Sequence, residues 1–104
     1  MKKFCCVVLA LLPLTAFAYP IDVQKDLNGM KIDYETFDTD NDIGSIRVAN
    51  YGDVDATCKA VFSNGPEAPR TRTIEVAAGK HKNATAKFTR EIIKLRIKLT
   101  CTPK

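Results

Sequence analysis

Few residues in this chain have the type and spacing to do chemistry. The clearest are two cysteines, Cys58 and Cys101, a single histidine, His81, the acidic run Asp38-x-Asp40-x-Asp42, and the cationic run Lys94-x-Arg96-x-Lys98. Each supports a sharp reading and a plain one. Asp38-x-Asp40-x-Asp42 matches the start of a calcium loop. The EF-hand pattern needs glycine directly after the third acid and glutamate at the twelfth position. Ile43 and Ala49 stand there instead, so the run reads as a solvated, turn-forming acidic loop. His81 would serve catalysis only beside a nucleophile such as Ser45, Ser63 or a threonine, oriented by a carboxylate. No spacing brings these together, and one histidine with two paired cysteines is too few for a zinc site. The sequence therefore nominates no catalytic residue, no cofactor and no metal ligand. Asn83-Ala84-Thr85 fits the N-glycosylation acceptor, a three-residue pattern read as an accidental match.

The cationic run stands out. On a β-strand, Lys94, Arg96 and Lys98 emerge from one face at intervals of about 6.8 Å. Such a line of cations suits sulfate, phosphate or carboxylate groups on a polymer. Lys80, Lys82, Lys87 and Arg90 are expected nearby. The plain reading is the solvated outer face of a sheet, partly neutralised by cross-strand acids such as Asp53 and Asp55. The aromatic residues do not interleave with the run, so specific nucleic-acid binding by base stacking is not expected. The charge is asymmetric along the chain: residues 19–55 hold nine acids and three bases, and residues 56–104 hold three acids and eleven bases. Either a polyanion-binding surface or an acidic set of strands packed beside a basic set follows from this.

The compartment decides how the cysteines are read. Lys2 and Lys3, the apolar run Phe4–Leu14 and the small-x-small site Ala16-Phe17-Ala18 form the pattern of a secretory signal peptide over residues 1–18. The run is shorter than the ~20 residues of a membrane-spanning helix. Cleavage after Ala18 leaves no cysteine as an acceptor for lipid anchoring. It also removes Cys5 and Cys6 and leaves one domain, residues 19–104, of 86 residues and formal charge +2. A domain this small gains much from a covalent staple. In an oxidising space, the even pair Cys58 and Cys101 reads as one disulfide.

The elements that carry these groups are short strands broken by turn signals. Met30, Ile32 and Tyr34 alternate with charged residues. Val54, Ala56, Cys58, Ala60 and Phe62 share a face, as do Ala84, Ala86 and Phe88. The last strand alternates most regularly: Ile93, Leu95, Ile97, Leu99 and Cys101 against Lys94, Arg96, Lys98 and Thr100. Period-two patterns mark half-buried strands. Both cysteines fall on apolar faces, so both point into one core, where an inter-strand bond, including one between sheets, can form. About seven such strands predict an all-β fold, an antiparallel β-sandwich of immunoglobulin or fibronectin type III character with one disulfide. The tryptophan of true immunoglobulin domains is missing, and a small β-barrel is the alternative.

The stretch from Asn50 through Asn64-Gly65-Pro66-Glu67-Ala68-Pro69-Arg70 to Ile92-Ile93-Lys94-Leu95, with the closing Thr100-Cys101-Thr102-Pro103, resembles a family of small secreted proteins of Gram-negative bacteria. The resemblance implies a periplasmic location and carries over no functional residue. Some relatives bear the name 3-phosphoglycerate kinase. That enzyme has two domains and several times this length, and this chain has no glycine-rich phosphate loop, so the name does not suit it. The expected function is that of an exported, non-enzymatic binding or interaction module of the cell envelope. Its expected partner is a protein or an anionic envelope polymer such as the phosphorylated core of lipopolysaccharide. An enzyme with an unfamiliar site is the remaining class.

Overall fold

Alternating apolar residues give each strand one face to bury, and the computed structural model, which describes Tyr19–Lys104, buries those faces between two sheets. Seven strands follow one another: β1 (Ile21–Asp26), β2 (Ile32–Asp40), β3 (Ile43–Asn50), β4 (Ala56–Asn64), β5 (Arg70–Val76), β6 (His81–Lys87) and β7 (Leu95–Pro103). The four-stranded sheet has the order β1-β7-β4-β5, and the three-stranded sheet the order β2-β3-β6. The expected signal peptide lies outside the described residues.

The two-layer all-β fold is the one the alternation predicts. Its strand order differs from that of a constant-type immunoglobulin domain. A constant-type immunoglobulin domain puts its first, second, fourth and fifth strands in one sheet, whereas here the first strand joins the seventh, fourth and fifth. The pairing is also not wholly antiparallel. β1 runs parallel to β7, with Ile21 opposite Leu95 and Val23 opposite Ile97.

The core interleaves large and small side chains. Leu95, Ile97 and Leu99 of β7, Phe62 of β4 and Ile46 and Val48 of β3 are buried against Ala56 and Ala60 of β4 and Ala84 and Ala86 of β6. Facing large with small lets two sheets interdigitate at the density of a protein interior. Gly44 of β3 belongs to this fit, because a Cβ there would collide with the Leu95 side chain.

The Cys58–Cys101 disulfide forms, consistent with an oxidising compartment. It does not join the two sheets, which the shared apolar faces also allowed. Cys58 and Cys101 are direct partners on the neighbouring strands β4 and β7 of one sheet, with Cα atoms 4.1 Å apart. That close approach is typical of a non-hydrogen-bonded antiparallel pair. The bond staples the two central strands of the larger sheet, and both sulfurs are sealed in the core.

The last strand starts later than its sequence pattern implies. Ile92 is buried and Ile93 is 83% exposed, the reverse of an alternation running through Ile93. The cause is the irregular stretch before Leu95. The Ile92 amide donates to the Asn41 carbonyl at 2.7 Å, which pulls Ile92 inward against the β2–β3 turn and moves Ile93 out. Val54 likewise precedes β4 and is half exposed rather than sharing its inner face.

Two buried asparagines hold the ends of the sandwich. Asn50, 1% exposed, donates from Nδ2 to the carbonyls of Val54 (2.8 Å) and Val76 (3.1 Å) and accepts from the Gly52 amide at 2.9 Å. Its backbone meets the β5–β6 turn through Lys80 O and Gly79 N. Asn64 donates to Glu67 and to the Arg90 carbonyl. At the β1–β2 turn, Asn28 takes a left-handed φ of 50°, which asparagine tolerates better than most residues. Its side chain donates to the Cys101 carbonyl at 2.8 Å, locking β1 onto β7.

Candidate functional site: the outer face of the four-stranded sheet

Side chains of β7 that do not enter the core emerge on the opposite face of the sheet. Arg96 and Lys98 stand there, fully in strand geometry, flanked by β1 on one side and β4 on the other. Opposite Arg96 lie Asp22 of β1 and Ser63 of β4. Opposite Lys98 lie Gln24 and Val61, and one step further Thr100 faces Asp26 and Lys59. Asp22, Gln24, Val61, Ser63, Arg96 and Lys98 line a shallow depression of about 280 Å³. Because β7 is an interior strand, its backbone is held by ladders on both sides, and the two cations are mounted on a rigid element.

Lys94 is the exception in the predicted run. It lies in the bend before β7, not in the strand, and lines a separate depression with Arg90, Glu91 and Ile93. It extends the cationic line past the sheet edge rather than continuing it at strand spacing. Glu67 positions this corner. Its carboxylate accepts the amides of Thr89 and Arg90, each at 2.9 Å, and Asn64 Nδ2 at 3.1 Å, with Arg70 at 3.6 Å. The two amides, then Asn64 and Arg70, hold the Glu67 carboxyl below its usual range despite partial desolvation.

The other cations expected nearby are elsewhere. Lys82 and Lys87 belong to β6, in the other sheet, and Lys80 precedes it. The acids expected to neutralise the face are also misplaced: Asp55 accepts from the Ala78 amide and Asp53 lies in the turn before β4. Parallel pairing brings Asp22 and Asp26 of β1 beside β7 instead. Sequence spacing carries no sign of a parallel pairing across the whole chain, so those neighbours are not legible in the sequence.

Among the described residues the ion pairs are Arg70–Glu67, Lys87–Asp42 and Lys104–Glu75. None involves Lys59, Lys94, Arg96 or Lys98. The Lys87–Asp42 contact, 2.8 Å long, raises the Lys87 ammonium and lowers the Asp42 carboxyl from their usual values, chiefly through the hydrogen bond. The same contact places the third acid of the Asp38–Asp42 run. Asp38 and Asp40 lie in β2 itself, which extends further than a loop reading allowed. Among the described residues, no group of three or more histidine, cysteine or acidic side chains is placed to hold a metal ion.

His81 opens β6 opposite Ala49. Ser45 sits four residues back along β3, roughly 13 Å away at strand rise, opposite Thr85. Its hydroxyl lies 2.7 Å from that of Thr39 and 3.1 Å from that of Thr85. This hydroxyl ladder across β2, β3 and β6 satisfies a nearly buried serine, and His81 is not brought to it. Tyr19 donates its hydroxyl to Ile43 O at 2.7 Å. Desolvation first, then the carboxylates Asp38, Asp40 and Asp42, pushes its pKa up to about 12, so it stays a donor. Among the described residues no helix is long and apolar enough to cross a membrane.

No family model, curated protein or solved structure matches this chain.

Proposed function

We propose that this protein is an exported, non-enzymatic binding module that works in the periplasm or outside the cell by contact with another macromolecule. The outer face of the β1-β7-β4-β5 sheet is its contact surface, and an anionic envelope polymer is the partner that face suits. The observation that carries the reading is the pair Arg96 and Lys98. They project from a rigid interior strand beside Lys59, with Lys94 past the sheet edge, and among the described residues none of the four is engaged in an ion pair. Phosphate or sulfate groups along a polymer meet such a row with charge-assisted hydrogen bonds, Arg96 in bidentate fashion. Ser63 and Gln24 supply neutral polar groups at the rim. The disulfide and the leader-like N-terminus support export.

Heparin chromatography at about 0.15 M salt, where the Debye length is ~8 Å, tests the reading. The mature protein is expected to be retained and Arg96→Glu to flow through with an unchanged melting temperature, since exposed substitutions shift stability by about 0.5 kcal/mol or less. Asp22→Asn, which removes the carboxylate facing Arg96, is expected to elute at higher salt than wild type. Flow-through of the wild type would overturn the polyanion contact.

A further inference from the structure

The strand order sorts the charge of the chain onto the two lateral edges of the sandwich. β1 and β2 terminate their sheets on one side. Their adjacency is fixed by Lys25 Nζ, 5.5 Å from the centre of the Tyr34 ring, and by the Tyr19 hydroxyl, which reaches the Asp40 and Ile43 carbonyls. β5 and β6 terminate the sheets on the other side. There Arg70 Nε donates to Lys87 O at 3.3 Å and Arg72 Nε to Thr85 O at 3.0 Å. The first edge carries Asp22, Asp26, Asp33, Glu35, Asp38 and Asp40 against a single base, Lys25. The second carries Arg70, Arg72, Lys82 and Lys87 against a single acid of its own strands, Glu75; Arg70 is paired with Glu67 and Lys87 with Asp42, so Arg72 and Lys82 are the cations of this edge without an ion pair among the described residues.

Edge strands present unpaired backbone groups, and proteins commonly protect them with charge. Protection of one sign on every edge repels all copies in every orientation. Here the signs are opposite. Two acidic edges repel each other, two basic edges repel each other, and an acidic edge attracts a basic one. Arg70 and Arg72 also lie over β6 carbonyls, so the second edge offers guanidinium groups rather than bare backbone.

We propose that the β1/β2 edge of one molecule docks on the β5/β6 edge of a second copy of this chain, giving head-to-tail association. The contact is heterologous: a pair keeps one acidic edge free on one molecule and one basic edge free on the other, so association continues along a line rather than closing at a dimer. Asp22 borders the polyanion depression, but Glu35 and Asp38 of β2, Arg72 of β5 and Lys82 of β6 lie outside it, so substitutions at those four test this inference separately from the polyanion contact.

Sedimentation velocity of the mature protein up to about 1 mM, the range of weak association, tests it without any substitution. At about 20 mM salt the sedimentation coefficient is expected to rise with concentration. At about 0.5 M salt, where screening operates within a few ångströms, the dissociation constant is expected to rise at least about tenfold. Glu35→Lys/Asp38→Lys and Arg72→Glu/Lys82→Glu are each expected to remain monomeric alone. Mixed at equal concentration, they are expected to associate, because each still carries the edge its partner needs. A wild type that stays monomeric at low salt would overturn the inference. So would association that 0.5 M salt leaves unchanged, or variants that associate alone as the wild type does. If the arginine variant fails to fold, the wild-type salt series and the acidic-edge variant decide the matter.

Discussion

Reduction of the Cys58–Cys101 disulfide is expected to lower the melting temperature by roughly 10–30 °C while leaving the folded spectrum unchanged. The bond spans a sequence separation of 43. Closing a loop of that length removes about 4 kcal/mol of chain entropy from the unfolded state, with about 2–4 kcal/mol commonly realised. For a domain of this size each kcal/mol is worth about 4–8 °C. Position in the sheet sharpens the expectation. The cysteines sit opposite one another on strands that are already laddered from Ala56–Pro103 to Asn64–Leu95, so the ladder keeps β4 and β7 paired after reduction. The loss therefore falls on the unfolded side of the equilibrium. Thermal melts with and without reductant, alongside non-reducing peptide mapping, check this. A shift below about 5 °C would mean that the staple contributes little beyond the β4–β7 ladder.

Replacing Asn50 is expected to be nearly as damaging. Asn50→Leu keeps the volume and removes three hydrogen bonds, which leaves the Val54 and Val76 carbonyls and the Gly52 amide without their partner. Each unsatisfied buried group costs about 1–3 kcal/mol. Allowing water to reach some of them, the sum is about 2–4 kcal/mol, or a fall of roughly 10–30 °C in melting temperature. Asn50→Asp separates the polar role from the packing role. At neutral pH its carboxylate would face two carbonyl oxygens, so ionisation is disfavoured in the folded state and the folded pKa lies above the unfolded one. The folded state then binds more protons, and stability rises as pH falls from 7 toward 4. Denaturant melts of both variants across that range check the assignment. An Asn50→Asp variant whose stability relative to wild type is flat with pH would show that the side chain does not face those carbonyls.

Asn50 also shows where sequence reading stops. In Asn50-Tyr51-Gly52-Asp53 it looks like one more turn residue. Its burial follows from partners at the far end of β5, 26 residues away, which no local pattern announces. Asn64 is concealed in the same way inside Asn64-Gly65-Pro66. Period-two alternation did carry the phase of β4, β6 and the body of β7, because one face of each meets the core along its length. The pattern misled where the chain leaves strand geometry. Ile92 and Ile93 are both β-branched, and only the bond from the Ile92 amide to the β2–β3 turn determines which one enters the core. Of the candidate surface, Arg96 and Lys98 were legible as a pair on one face. Their neighbours Asp22 and Gln24 were not, since parallel pairing of the first strand with the last leaves no trace in spacing. Arg70 and Arg72 were equally hidden. They occupy the inner-facing phase of β5, opposite Phe62 and Ala60, a phase that alternation assigns to apolar side chains and that only an edge strand frees for arginine.

The central claim is that the outer face of the four-stranded sheet is the contact surface. Amide and side-chain nuclear magnetic resonance shifts of residues 19–104, recorded while a heparin oligosaccharide is added, test it most directly. The account predicts that the largest shifts fall on Arg96, Lys98 and Lys59, with Ser63 and Gln24 at the margin, and that they collapse as salt rises from about 0.05 to 0.5 M. Shifts centred on Arg72, Lys82 and Lys87 of the opposite edge, or no shifts at all, would contradict it.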